Sequence, residues 1–282
     1  MLINIMVMET NIQKTLNHMT VPNLGYLEFL DLAAKLDCVG VEVRNDIFLP
    51  LFDDINPVDA GRIALEKGLR LVGLSQIYPF NDWTSQRENE LKSLIEIAKA
   101  SGAESINLIP DNSGVIQQKY KRKDNLIASL NCILALLEDA EIVALIEPLG
   151  FERSSLRSKT ELVDMINLID GNDYLQIVHD TFHHTLAGGG PIYAKKTGIV
   201  HISAVVDPSL PFGKMEDEHR VLVDEKDRLG NIEQINALLA AGYFGPISFE
   251  CFSPKIHALV DPYIEIKKSF DYIFSQLEAY AN

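Results

Sequence analysis

Four short apolar runs each end abruptly in a side chain able to bind a metal or move a proton. Residues 142–146 run into Glu147, 175–178 into His179 and Asp180, 198–200 into His201, and 247–249 into Glu250. The runs have strand length and are separated by segments of helical periodicity. In a closed parallel barrel the C-terminal ends of all strands face one mouth, so residues far apart in sequence meet there. Three carboxylates and one imidazole form a hard, oxygen-rich ligand set suited to a divalent cation such as Mn, Co or Mg.

Other candidates surround these four. His183 and His184 are adjacent and so point different ways; His183 is assigned to the site, as a substrate contact or a support, and His184 to the rim or helix side. His179 precedes Asp180 and is expected to face the helix layer. His18, in the segment Asn17-His18-Met19, could close the mouth, but a surface position is the expectation. Arg153, Ser154, Ser155 and Arg157 form an anion-friendly group just before a helix start marked by the Ser158…Glu161 capping spacing. Arg220 stands in an otherwise acidic loop, either as a substrate contact or as a partner of Asp217 or Glu218, and Arg44 is read the same way. Gly188, Gly189 and Gly190 read as a turn or mobile lid, not a phosphate loop.

The elements that must position these residues repeat every 30 to 40 residues or so as strand, loop and helix, the signature of βαβ units around a parallel sheet. Strands are expected near residues 3–7, 38–43, 69–74 and 105–109, followed by the four that end in the site residues. Helices are expected over 24–36, 57–67, 82–100, 124–138, 231–241 and 261–280, with Pro57 and Gly68 marking both ends of the second. The connection 207–227 is long and charged, and loops of that length are usually functional or disordered. A single (β/α)8 barrel of about 250 residues accommodates the 282-residue chain, giving one domain over 1–282.

Composition excludes several classes. Hydrophobic residues make up 47% of the chain, enough for a large core, and no apolar run reaches membrane-spanning length. The net charge of -15 repels phosphate backbones and argues against a nucleic-acid partner. Cys38, Cys132 and Cys251 lack metal-type spacing, and the N-terminus reads as a strand, not a signal peptide; both favour a cytoplasmic location.

The segments Ile146-Glu147-Pro148, His179-Asp180-Thr181-Phe182-His183, Val200-His201-Ile202-Ser203 and Gly242 through Glu250 resemble the xylose isomerase-like TIM barrels, in order and spacing over nearly the whole chain. Val41-Glu42-Val43-Arg44-Asn45-Asp46, Glu147-Pro148-Leu149-Gly150-Phe151 and Ser154-Ser155-Leu156-Arg157-Ser158 look most like the myo-inositol catabolism branch. The resemblance implies that Glu147, Asp180, His201 and Glu250 hold one divalent metal (Mn, Co, Mg or Zn) and that His183 bonds a substrate oxygen. It implies isomerisation or epimerisation of a small polyhydroxy ketone, an inosose or ketose with or without a phosphate, through an enediolate, and a homodimer. One departure is Asp207, which stands where epimerases of the family often carry arginine, leaving Arg220 as the nearest base. Glu147 and Glu250 come from non-adjacent strands and can serve opposite faces of the reacting carbon. The alternatives are a dehydratase of a keto-inositol at the same site and a barrel that binds sugar without catalysis. An apurinic endonuclease would call for further His and Asp ligands.

Overall fold

The eight parallel strands of the computed structural model, which describes residues 12–115 and 119–281, pair in chain order and the last returns to the first. They are β1 (Gln13–Asn17), β2 (Gly40–Arg44), β3 (Arg70–Ile77), β4 (Ser105–Leu108), β5 (Val143–Ile146), β6 (Leu175–Asp180), β7 (Thr197–Ile202) and β8 (Pro246–Phe249). Around them run α1 (Tyr26–Lys35), α2 (Pro57–Glu66), α3 (Ser85–Ser101), α4 (Lys119–Ala140), α5 (Lys159–Leu168), α6 (Thr181–Leu186), α7 (Asn231–Ala240), α8 (Pro254–His257) and α9 (Pro262–Ala281). This is the expected (β/α)8 barrel. No helix among the described residues is long and apolar enough to cross a membrane.

Local chemistry accounts for the boundaries. Asn56 accepts from Val58 N–H and Pro57 opens α2, while Gly68 at φ 76° follows its end. Ser158 accepts from Glu161 N–H at the start of α5, as its spacing suggests. The long 207–227 connection is ordered into two short 3-10 turns and is tied back by Ala204 pairing with Val221.

The first strand departs from expectation. Residues 3–7 lie outside the described residues, and the strand that closes the barrel is the polar Gln13–Asn17, paired with β2 and β8. Its polarity has a place in the structure. Lys14 holds its amine 5.8 Å from the ring centres of Phe270 and Phe274 and donates to Leu36 O at 2.7 Å, while Thr15 and Asn17 are fully buried.

Inside the barrel, Val72, Leu145, Val178 and Ile199 form a buried apolar cluster. Side chains alternate faces along a strand, so the residue two positions later returns to the same face. Leu145 is followed in this way by Glu147, Val178 by Asp180 and Ile199 by His201. The same alternation sends His179 outward. The site therefore sits directly above an apolar floor, and register places Asp180 opposite His201 across β6 and β7.

Candidate functional site

Glu147, Asp180, His201 and Glu250 are all buried, and each offers a ligand atom such that the four lie within 4.8 Å of one another. His201 Nε2 is 3.0 Å from Glu42 Oε2, and Nδ1 faces Glu250 Oε2 at 3.3 Å and Glu147 Oε1 at 3.8 Å. Burial favours an uncharged Glu42, but His201 overrides this and holds its carboxyl below the usual range. An ionised carboxylate only accepts, so Nε2 carries the proton and Nδ1 is turned to the cluster. His201 Nδ1 and Glu147 Oε1 are buried without a hydrogen-bond partner. Orphaned buried polar atoms are costly, and here two of them converge with two further carboxylates. That donor set fits a divalent cation, with Glu42 supporting His201 from behind.

Two arginines balance the carboxylates. Arg44 chelates Asp46 at 2.7 and 2.8 Å and donates to Glu250 Oε1 at 2.6 Å. Arg220 donates to Asp180 Oδ2 at 2.5 Å, Glu250 Oε2 at 2.9 Å and Ser203 Oγ at 2.9 Å. Phe252 lies under both guanidinium groups, 5.7 and 4.7 Å from the ring centre. The two catalytic candidates are thereby pushed apart. Burial, reinforced by the charge of Glu250, raises Glu147. Burial would raise Glu250 too, but His201, Arg220 and Arg44 hold it well below the usual carboxylate range.

A mouth pocket of about 210 Å³ collects Arg44, Glu147, His183, Arg220, Glu250 and Phe252. His183 approaches Glu147 Oε1 at 3.8 Å through Nε2, and its backbone N–H donates to Asp180 Oδ1 at 2.8 Å. Gly150 backs this helix so closely that an added Cβ would lie 2.3 Å from His183 O, which requires glycine at that point in the loop after β5.

Ser155 and Arg157 stand apart from that pocket. Ser155 Oγ donates to Asp111 O at 2.8 Å and accepts from Asn81, so it binds the β4 and β5 loops together. Arg157 is directed at the carbonyls of Gly150 and Leu186, at 2.9 and 3.0 Å. Arg153, also outside, chelates the half-buried Glu216. His18 departs from its expected surface position: it is 2% exposed, stacks on Phe29 at 4.1 Å and reaches Leu24 O at 2.9 Å. The three glycines form the turn that ends α6, all with positive φ.

Sequence reasoning missed two groups. Glu42 left a signal, a carboxylate in the middle of the strand Gly40–Arg44, on the same face as Arg44 and with its β-branched neighbours pointing the other way. Lys159 left none, because its capping position reads as solvated. Its amine is buried between His179 Nδ1 at 2.7 Å and His184 Nδ1 at 2.9 Å, and His179 Nε2 meets Gln234 Oε1 at 2.9 Å. Burial lowers the Lys159 pKa from 10.5 to about 7. Between those values the unfolded chain binds the extra proton, so stability rises with pH from about 7 towards 10.5 and the penalty is fully present below 7. In Lys159→Met, urea denaturation at a series of pH values is expected to show that rise removed; an unchanged slope would place its origin elsewhere.

The model of the xylose isomerase-like TIM barrel family matches residues 30–275. Solved structures are similar over most of the chain. A xylose isomerase domain-containing protein from Salmonella typhimurium LT2 is 29% identical, with 95% of this chain and 97% of that one covered at a TM-score of 0.85. The IolI protein, solved with a bound zinc atom, is 20% identical over 94% of this chain and 99% of that one, TM-score 0.85. D-psicose 3-epimerase from Clostridium cellulolyticum H10, solved with D-tagatose, is 16% identical over 94% and 99%, TM-score 0.72. No curated protein matches the sequence.

Proposed function

The chain belongs to the xylose isomerase-like TIM barrel family, and from that premise we propose that it isomerises or epimerises a small polyhydroxy ketone, an inosose or ketose, with one divalent cation. The observation that carries this reading is the convergence of Glu147, Asp180, His201 and Glu250 ligand atoms within 4.8 Å, two of them orphaned in a buried site. When bound, the cation supplies positive charge beside a carbonyl and its neighbouring hydroxyl and lowers the cost of the negative charge left when the α C–H proton departs. Glu147 and Glu250 reach the pocket from β5 and β8, one to take the proton and the other to return it. His183 lines the same pocket and donates to a substrate oxygen. Arg44 and Arg220 hold Glu250 from both of its oxygens and fix its orientation. The oxygen-rich ligand set favours Mn, Co or Mg, and the zinc atom in the IolI protein adds Zn.

The test is NMR-detected deuterium exchange on a panel of inososes and ketoses, after Mn or Co loading and again after chelation. Exchange at a carbon beside a carbonyl, lost on chelation, is the expected result. A conjugated ketone lighter by one water would replace isomerisation with dehydration. No exchange with stoichiometric cation bound would count against proton-transfer chemistry on these compounds.

Glu42 supports the ligand set from outside it, and such partners are typically worth 10- to 100-fold in metal affinity. Glu42→Gln is therefore expected to weaken Mn binding by about that factor in a calorimetric titration. Unaltered affinity would mean that His201 is oriented without it.

A further inference from the structure

Behind His183 lies a second cavity, of about 220 Å³, whose lining includes Arg157, Ser158, Lys159, Thr160, His183 and His184. Its lining differs in charge from that of the mouth. The mouth mixes Asp46, Glu147, Asp217 and Glu250 with Arg44, His183 and Arg220, whereas every titratable residue lining this cavity is a base, in a chain with 40 acidic residues against 25 lysines and arginines.

The donors there are free to serve a ligand. Arg157 commits Nε to Gly150 O and one terminal nitrogen to Leu186 O, which leaves Nη1 without a partner among the described residues. His184 is 9% exposed. Gln234 Oε1 can only accept, and the Gln234 amide nitrogen is fixed by Thr181 O and Leu229 O, so His179 bears its proton on Nε2 and its Nδ1 accepts from Lys159. Lys159 donates in the same way to His184 Nδ1, so the proton of His184 is on Nε2. That Nε2 has no partner among the described residues and faces the cavity near Gly189. Ser158 Oγ accepts from Glu161 N–H, and its own proton is uncommitted. Ser158, Lys159 and Thr160, at the start of α5, a helix of 10 residues, line the cavity, so the helix N-terminus adds positive potential there.

We propose that this cavity is an oxyanion site, taking the phosphate or carboxylate group of a small metabolite on Arg157, His184, Ser158 and the start of α5. His183 forms a wall of both cavities. An occupant here therefore bears on the side chain that faces Glu147. The site does not depend on the cation, so it is tested on protein kept in chelator.

The experiment titrates inorganic phosphate, and separately acetate, into protein labelled at histidine and follows the imidazole signals by NMR. A saturable shift at His184 with no shift at His257 is expected for at least one of the two anions, and which one saturates identifies the group the site takes. Arg157→Met is expected to weaken that anion at least tenfold. Because Arg157 also ties two loop carbonyls, His184→Phe provides a second variant that keeps a ring and removes the Nε2 donor; binding to it is read at the imidazole of His183, which lines the same cavity, with a similar loss expected. No saturable shift with either anion up to tens of millimolar overturns the proposal. So does binding that neither variant weakens.

Discussion

Glu250→Gln is expected to lower cation-dependent exchange of the substrate α-proton by roughly a thousandfold, about 4 kcal/mol of transition-state stabilisation. The size follows from how many roles meet on one carboxylate. Glu250 is one of the four clustered residues, it accepts from Arg44 and Arg220, and in the proposed reaction it exchanges a proton with a ketone in the mouth. An amide keeps the shape but cannot take the proton, and it loses the charge that both arginines answer. The measurement is the exchange rate at saturating Mn, with bound Mn counted separately so that lost affinity is not mistaken for lost chemistry. Exchange within tenfold of the parent, with cation bound, would remove Glu250 from proton transfer.

The second large effect is on stability. Arg220 is 1% exposed and bonds Asp180 and Glu250 at once. Removing one partner of a buried ion pair leaves an uncompensated charge and typically costs about 3–5 kcal/mol. At about 2–4 °C per kcal/mol for a chain of this size, Arg220→Met in chelator is expected to melt roughly 10 °C lower than the parent. Divalent cation should narrow that gap, because positive charge delivered to the same carboxylates replaces what the guanidinium supplied. A ligand at a thousand times its Kd contributes about 4 kcal/mol, enough to make the narrowing measurable. Thermal melts of both proteins, with and without Mn, check it. A gap that stays the same under both conditions would mean that Arg220 stabilises the fold independently of the cluster.

The four clustered residues were legible because each is a local event, an apolar strand ending in a polar side chain, and because period-two alternation assigns its face without reference to any other strand. Asp180 inward and His179 outward follow from parity alone. Boundary chemistry was legible for the same reason, as at Pro57, Gly68 and Ser158.

Closure decided the rest. Residues 3–7 carry the apolar pattern expected of a first strand, yet the barrel closes on Gln13–Asn17, where pairing with β2 and β8 buries Thr15 and Asn17 and the Lys14 amine lies over Phe270 of α9. No window of sequence brings Arg220 to Asp180 and Glu250, 40 and 30 residues away, nor Glu42 to His201 across 159. Ser155 and Arg157 carried the right chemistry for the mouth, but the turn after β5 directs one at Asp111 and the other at Gly150 and Leu186. Lys159 reads as a solvated helix start until α5 packs over β6 and encloses its amine between two histidines. By itself the sequence determined which residues stand at strand ends and which way they face, since both are set within a few residues of chain. Only the tertiary structure decided which charges compensate one another, because burial and pairing arise when strands distant in sequence close into one barrel.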